Sequence, residues 1–199
     1  MDEKDLIIAG IDEAGRGCLA GPVVAACVIL PKNYNLPNLT DSKKLSPKKR
    51  AILEKQIKEI AISWGIGLSN PKEIDEVNIL NATLLAMKRA YSKLSVKPTV
   101  VYVDGTFPPD IESKVICVKK GDLKIPQVSA ASILAKTFRD RVMRKVDRLY
   151  PYYGFAKHKG YATKLHLEKI REFGPCKIHR RTFKGVKNFV WEELCLKLK

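Results

Sequence analysis

Several features that define common classes of protein are missing from this 199-residue sequence. No apolar run approaches the roughly 20 residues that a membrane-spanning helix needs. The first residues, MDEKDL, lack the positive-then-apolar order of a signal peptide. The five cysteines are scattered and never form a CxxC pair, which argues against a zinc site or a disulfide framework. Together these absences predict a cytoplasmic protein without membrane contact.

Acidic residues are scarce as well, with 21 Asp and Glu against 37 Lys and Arg and a formal net charge of +16. Such an excess costs self-repulsion in the folded state, whereas solubility needs a net charge of only about 2–8 in a small domain. A polyanionic partner explains the excess better than solubility does, and nucleic acid is the expected partner. Charge alone does not separate an enzyme from a passive binding protein.

Apolar runs and helical spacings alternate along the chain and predict an α/β fold. Runs typical of buried strands lie at residues 6–11, 22–30, 62–68, 99–103 and 115–118. Ser46-Pro47 and Asn70-Pro71 are helix-start signals, and a long amphipathic helix is predicted from about residue 128 to 150. The order of these elements predicts a mixed-sheet core followed by a helical C-terminal part.

Four acidic residues stand out by their position. Asp12 and Glu13 end the first predicted strand, Asp104 follows the strand at 99–103, and Asp122 lies in a turn before the long helix. A carboxylate at the end of an apolar strand loses hydration and needs a partner. Unrelated salt bridges or helix caps are one interpretation, above all for Asp122. A cluster of oxygen ligands for Mg²⁺ is preferred, with two ions roughly 3.5–4 Å apart around a scissile phosphate.

Asp12 and Glu13 raise a geometric question, because neighbouring residues of a regular strand face opposite sides of the sheet. Either the strand breaks at Asp12, or Glu13 contributes through its backbone carbonyl. Glycines follow at once in the sequence, and they predict the break.

The acids lie within a series of short motifs. In chain order these are DEAGRGCLAGP (12–22), TDSKKL (40–45), YVDG (102–105), KGD (120–122), SAASILAK (129–136), HKGYAT (158–163), HL (166–167), FGP (173–175) and HR (179–180). Together these motifs resemble those of the ribonuclease HII family. They extend over nearly the whole chain, and no motif residue departs from the bacterial pattern.

The resemblance implies a ribonuclease H-like fold, with a central five-stranded mixed sheet flanked by helices. Residues 1–150 would form the catalytic core, and residues 151–199 a helical C-terminal extension that contributes to substrate binding. It also implies an endonuclease, acting as a monomer, that cleaves the RNA strand of RNA–DNA hybrids. The same enzyme would cut on the 5′ side of ribonucleotides embedded in duplex DNA, leaving 5′-phosphate and 3′-hydroxyl ends.

Roles for single residues follow from the same resemblance. The catalytic residues, which would also hold two Mg²⁺ or Mn²⁺ ions, are Asp12, Glu13, Asp104 and Asp122. The 2′-hydroxyl of the ribonucleotide would be read by the loop Gly15, Arg16 and Gly17, because glycine permits close backbone approach and a hydroxyl both donates and accepts. Tyr161 would stack on the sugar of the next, deoxy nucleotide.

Phosphate contacts are expected from three further motif residues, Lys43, Ser132 and Lys136. Ser132 and Lys136 lie one helical turn apart and so share a face. Weaker candidates for phosphate contacts are Lys44, His158, Lys159 and Arg180. His166 and His179 are expected to be structural, because no acid or cysteine accompanies them at metal-binding spacing.

Two other functions stay open at this point. A non-catalytic module could use the basic surface to bind nucleic acid, with a structural Mg²⁺ and no turnover. Another nuclease of the same fold is the second alternative, since a fold does not determine its chemistry. Ribonuclease HIII shares the core, but its fourth acid is usually Glu, whereas this chain has Asp122.

Overall fold

The computed structural model describes residues 6–37, 39 and 45–189, and one mixed β-sheet lies at its centre. The strands are β1 (Ile8–Ala14), β2 (Val23–Ile29), β3 (Ser63–Ser69), β4 (Val100–Asp104) and β5 (Lys114–Val118). Their order across the sheet is β3-β2-β1-β4-β5. β2 pairs antiparallel with both β1 and β3, whereas β4 runs parallel to β1 and to β5. The predicted five-stranded mixed sheet is confirmed.

Two of the helices begin at side-chain caps that the sequence predicts. In the described residues they are α1 (Pro47–Ile60), α2 (Pro71–Tyr91), α3 (Pro126–Leu149), α4 (Phe155–His158) and α5 (Lys164–Phe173). Ser46 caps α1 through its side chain, and Asn70 forms a capping box with Glu73 at the start of α2. Both predicted start signals are confirmed. Within α2, Asn78 leaves the helical conformation with φ +67° and divides the helix into two segments.

Helices cover both faces of the sheet, and one glycine sets how closely α3 approaches β1. Residues of α2 form an apolar cluster with one face, and residues of α1 and α3 with the other. A Cβ atom at Gly10 would lie 2.2 Å from backbone atoms of Gln127 and Val128. Only glycine therefore allows α3 to begin against β1 at this distance. The first turns of α3 consequently lie over the end of β1 that carries Asp12.

The chain after α3 packs back onto α3 and onto the loop between β1 and β2. Tyr153, Phe155 and Cys176 form an apolar cluster with Ala20 of that loop and Met143 of α3. The predicted helical C-terminal part is confirmed through α5, after which the described chain continues in turns and bends. No helix among these described residues is long and apolar enough to span a membrane.

Candidate active site

Asp12 lies on the face of β1 that α3 covers. Its side chain is buried, and Ala14, the next residue on that face, packs in the same cluster as residues of α3. The hydroxyl of Ser132 donates a hydrogen bond to the Asp12 carboxylate. Burial raises the pKa of Asp12 well above its ordinary value of 3.8, and the negative charges of Glu13 and Asp104 raise it further. This carboxylate is therefore held where its charge is unfavourable.

β1 stays regular past Asp12, so the predicted strand break at that residue is wrong. The antiparallel pairing with β2 continues to Ala14, and the chain first turns at Gly15, where φ is +96°. Glu13 consequently faces the side of the sheet opposite Asp12, and its Oε1 lies 3.5 Å from Nη1 of Arg16. A contribution of Glu13 through its backbone carbonyl stays a prediction.

Asp104 and Asp122 are connected through the turn after β5. Asp104 is the last residue of β4, and its Oδ1 accepts a hydrogen bond of 2.7 Å from the N–H of Gly121. Gly121 opens a single 3₁₀ turn that carries the buried Asp122. The hydroxyl of Ser129, in the first turn of α3, donates to the Asp122 carbonyl at 2.6 Å. The start of α3 thus holds Asp122 beside the end of β4.

These acids form an open group of hard oxygen donors. In residues 6–37, 39 and 45–189, no three His, Cys, Asp or Glu side chains make a ready metal-binding set. That openness is compatible with Mg²⁺, which keeps several waters and is typically held by one or two carboxylates together with substrate phosphate oxygens. Burial and the negative charges of Glu13 and Asp104 raise the pKa of Asp12, and a divalent cation would stabilise the charged carboxylate. The donor set therefore fits a hard divalent cation.

The loop from Gly15 to Pro22 is held by two arginines that are completely buried. Arg180 donates to the carbonyls of Gly15 and Arg16, each at 2.7 Å, and to the carbonyl of Gly21 at 2.9 and 3.0 Å. Burial lowers the pKa of Arg180 to about 10, which leaves the side chain protonated at neutral pH. The expected phosphate contact of Arg180 is therefore wrong, because its guanidinium is turned into the protein.

Arg139 of α3 holds the same loop from the other side. Its guanidinium donates to the carbonyls of Pro22 at 2.9 Å and Ala20 at 3.1 Å, and to that of Lys159 at 2.9 Å. A Cβ atom at Gly15 would lie only 2.0 Å from its Nε. No local pattern in the sequence signals this role, because Arg139 is one of 37 Lys and Arg residues and lies in an ordinary amphipathic helix.

Tyr161 lies against this loop with part of its ring exposed. An isolated β-bridge joins it to Cys18, and its hydroxyl shares a hydrogen bond with the Cys18 thiol. Burial raises the pKa of Tyr161, with a further contribution from Cys18. Nζ of Lys136 lies 5.5 Å and Cζ of Arg139 5.9 Å from the ring centroid. The ring is thus fixed at the edge of the loop with 41% of the residue accessible.

The residues predicted to contact phosphates lie in different environments. Lys136 is partly exposed, and Asp140, one turn further along α3, accepts a hydrogen bond of 2.8 Å from its Nζ. Ser132 is buried and donates to Asp12, which favours support of that carboxylate over contact with substrate. Lys43 falls outside the described residues.

All three histidines of the chain are buried and belong to one ring cluster. Nδ1 of His166 donates to the carbonyl of Tyr161 at 2.8 Å. Nδ1 of His179 accepts from the N–H of Cys176 at 2.9 Å, which leaves its Nε2 to donate to Nε2 of His166 at 3.0 Å. Burial lowers the pKa of His166 to about 4 and that of His179 to about 3. The structural role predicted for His166 and His179 is confirmed.

Comparison with known proteins agrees with this geometry. A family model described as ribonuclease HII matches residues 9–186. A curated ribonuclease HII of Nitratidesulfovibrio vulgaris is 54% identical over 192 residues, which cover 91% of this chain and 87% of that protein. The ribonuclease HII of Caldanaerobacter subterraneus is 56% identical over 176 residues, which cover 88% of this chain and 73% of that protein.

A solved structure of a related protein has the same fold as this chain. The crystal structure of ribonuclease H2 from Pyrococcus horikoshii OT3 superposes with a TM-score of 0.76 at 31% sequence identity. The superposition covers 92% of this chain and 96% of that one. The ribonuclease H-like fold predicted from the sequence is confirmed.

Proposed function

This chain belongs to the ribonuclease HII family, and from that premise we propose how its own residues bind and cleave the substrate. The reaction is endonucleolytic hydrolysis of the RNA strand of an RNA–DNA hybrid, with 5′-phosphate products. The observation that carries the residue assignment is the position of the acids. Asp12, Asp104 and the turn bearing Asp122 meet at one end of the sheet, directly before the loop that begins at Gly15.

The divalent metal dependence of the family is assigned to four residues: the carboxylates of Asp12, Asp104 and Asp122, and Glu13 through its backbone carbonyl. Two Mg²⁺ or Mn²⁺ ions bound there would supply positive charge at the scissile phosphate and lower the pKa of the attacking water. Ser132 keeps Asp12 oriented by donating to its carboxylate, and Ser129 holds the backbone of Asp122. The charge conflict at Asp12 supports this assignment, because functional sites commonly hold groups with displaced pKa values.

Recognition of the junction between RNA and DNA is assigned to the loop Gly15, Arg16 and Gly17 together with Tyr161. Arg16 and Gly17 are exposed beside the acids, so a nucleotide whose phosphate lies at the carboxylates can reach their backbone. The accessible ring of Tyr161 would pack against the next sugar, where a 2′-hydroxyl would crowd it. Lys136, which lies beside that ring, is assigned to a neighbouring phosphate, since such contacts position a duplex without reading its sequence.

At the level of the chain, we assign residues 1–150 to the catalytic core and residues 151–199 to an extension that completes the substrate site. Arg180 and Tyr161 support the second part, because both come from the extension and contact the loop. A monomer is proposed, since one chain supplies all of these residues. A cytoplasmic location is proposed as well, and the free thiols of Cys18, Cys27, Cys117 and Cys176 support a reducing compartment.

The test is cleavage of a labelled DNA duplex that carries one ribonucleotide, with Mg²⁺, Mn²⁺ or EDTA. We expect a metal-dependent cut on the 5′ side of the ribonucleotide that Asp104→Asn abolishes. Asp110→Asn is the matched control, because Asp110 is an exposed acid whose carboxylate pairs with Lys88 of α2 at the surface. Cleavage of plain DNA would instead indicate another nuclease chemistry, and tight binding without any cut would indicate a binding module.

A further inference from the structure

Arg139 and Arg180 are unusual because each buries a full positive charge without an acidic partner. Both are 0% exposed, and neither forms an ion pair with an acid in the described part of the chain. Their hydrogen bonds go to main-chain carbonyls, most of which belong to the loop between β1 and β2. A buried charge is costly unless its donors are satisfied, so these two arginines are tied to the shape of that loop.

The carbonyls that Arg180 binds determine where the neighbouring N–H groups point. In a trans peptide the C=O and the following N–H point in opposite directions, and the described chain contains no cis peptide bond. With the carbonyls of Gly15 and Arg16 turned inward onto Arg180, the N–H groups of Arg16 and Gly17 are turned outward. Neither N–H has an acceptor among the residues that the structure describes.

The outward side of the loop has room for a ligand. Arg16 and Gly17 are both exposed, and no atom lies within 4 Å of the position that a Cβ on Gly17 would take. On the inward side, Arg139 leaves no space at Gly15. The loop is therefore packed tightly on one face and presents two adjacent N–H donors on the other.

We propose that Arg180 and Arg139 are positioning residues for recognition of the ribonucleotide. By holding the loop carbonyls inward, they keep the N–H groups of Arg16 and Gly17 aimed at the substrate, where the 2′-hydroxyl oxygen accepts from them. This inference rests on the proposed function, since it gives that function's loop its working geometry. It also gives the C-terminal extension a specific task, because Arg180 lies within it.

The shape of the guanidinium explains why arginine occupies this position. Its planar fork carries five donors and can serve several acceptors at once, and Arg180 uses it on the carbonyls of Gly15, Arg16 and Gly21. A lysine keeps the charge but offers one ammonium group on a flexible stem. It cannot hold three carbonyls in the same geometry, so Arg180→Lys tests geometry separately from charge.

The measurement is the binding preference for a ribonucleotide, followed in Ca²⁺ by fluorescence anisotropy. It compares the Kd of an all-DNA duplex with the Kd of the same duplex carrying one ribonucleotide. Misplacement of a contact by about 1 Å can cost a factor of up to about 100, and we expect Arg180→Lys to reduce the Kd ratio by about tenfold or more. Arg181→Lys, a substitution at the next residue, is the matched control and should keep the wild-type ratio.

The ratio separates positioning from a general structural role. Partial unfolding lowers the active fraction equally for both duplexes, so it leaves the ratio unchanged. A variant that weakens both affinities equally, or neither, would overturn the proposal. Arg139→Lys is the second variant, and it should lower the ratio for the same reason.

One measurement needs no variant at all. A 2′-fluoro nucleotide can accept a hydrogen bond but cannot donate one, and two N–H donors should bind it more tightly than the deoxy nucleotide. Equal binding of the fluoro and deoxy duplexes by the wild-type protein would contradict the donor geometry. If the wild-type protein shows no preference for the ribonucleotide duplex and no cleavage, the proposed function itself fails, which is a distinguishable result.

Discussion

The acids at the ends of β1 and β4 and the loop from Gly15 to Pro22 adjoin each other where β1 ends, yet they carry buried charge differently. At the acids, burial raises the pKa of Asp12, and the negative charges of Glu13 and Asp104 raise it further. At the loop, each buried guanidinium has several carbonyl acceptors. The acids therefore leave a buried negative charge near other negative charges, whereas the arginines of the loop have hydrogen-bond acceptors for their buried positive charges.

This difference indicates a division of labour between the two parts. A group of acids that disfavours its own charge is suited to bind cations, because the cation supplies the stabilisation that the protein lacks. A loop whose carbonyls are already bound is suited to discriminate, since it does not reorganise when the substrate arrives. α3 joins the two parts, with Ser132 contacting Asp12 and Arg139 contacting the loop.

The largest expected effect comes from neutralising the buried carboxylate of Asp12. Asp12→Asn should lower single-turnover cleavage in Mg²⁺ by at least about 10²–10³-fold, the loss typical when one group that stabilises transition-state charge is removed. In EDTA the same substitution should raise the free energy of unfolding by about 1 kcal/mol, because active-site residues are often retained at a cost in stability. Urea denaturation measures the second quantity.

The control for Asp12→Asn is Asp110→Asn, which should change neither cleavage nor stability, because Asp110 is exposed and pairs only at the surface. A loss of stability in Asp12→Asn would mean that the acids are held by favourable contacts. The contrast between the two parts of the site would then be wrong.

The next effect tests the tight packing of the loop. Gly15 has φ +96°, and its Cβ position lies 2.0 Å from Nε of Arg139. Gly15→Ala should therefore cost about 2–4 kcal/mol from backbone strain and overpacking together. Gly17→Ala is the matched control, because nothing lies near its Cβ position. It should change stability by less than about 0.5 kcal/mol.

Substrate binding should separate these two glycine variants further. Gly17→Ala places a methyl group on the open face of the loop, so we expect it to lose the preference for a ribonucleotide while the protein remains stable. Equal stability of the two variants would show that Arg139 moves aside easily. In that case the loop would be less rigid than the hydrogen bonds indicate.

A third prediction is that low pH lowers the free energy of unfolding, because the histidine cluster beside the loop becomes protonated. His166 and His179 have pKa values of about 4 and about 3, against 6.5 when unfolded. Between the folded and unfolded pKa values the unfolded chain binds more protons than the folded one. The free energy of unfolding is therefore highest above pH 6.5 and decreases as the pH falls below that value. The loss should be on the order of 2 kcal/mol per histidine at pH 5.

Urea denaturation at pH 7.5, 6 and 5 measures this loss, and His166→Gln should flatten the pH dependence even if it lowers stability overall. A stability that does not change between pH 7.5 and pH 5 would mean that the cluster accepts protons without cost. His166 donates to the carbonyl of Tyr161, so the same titration should also weaken substrate binding.

The acid part of the site could be predicted from the sequence, because it depends on single residues at recognisable places. Asp12 and Asp104 end apolar runs, and the family motifs carry Asp122. The sheet and most helix starts follow from local patterns of the same kind. The strand break was predicted wrongly at Asp12, because pairing with β2 continues to Ala14 and outweighs the glycines that follow.

The loop part could not be predicted, because it depends on contacts between distant residues. Arg180 lies 165 residues from Gly15, and Arg139 lies 117 residues from Pro22. In the sequence each arginine resembles a surface charge, and Arg180 was expected to contact phosphate. Burial and hydrogen-bond partners decide the role of an arginine, and neither property is local in the chain.

The smallest predicted effect lies where the two parts meet, at Lys136. Its Nζ lies 5.5 Å from the centre of the Tyr161 ring and donates to Asp140 at 2.8 Å. Because that ring would pack against a nucleotide sugar, we expect Lys136 to contact one neighbouring phosphate. Lys136→Gln should weaken binding equally for ribonucleotide and all-DNA duplexes, and should reduce the slope of log affinity against log salt by about 0.7–0.9. Lys164→Gln, at a lysine with 92% of its side chain exposed, is the control and should leave the slope unchanged. Because a phosphate contact carries no information about the 2′ position, a change in ribonucleotide preference in Lys136→Gln would place Lys136 with the loop that recognises the nucleotide.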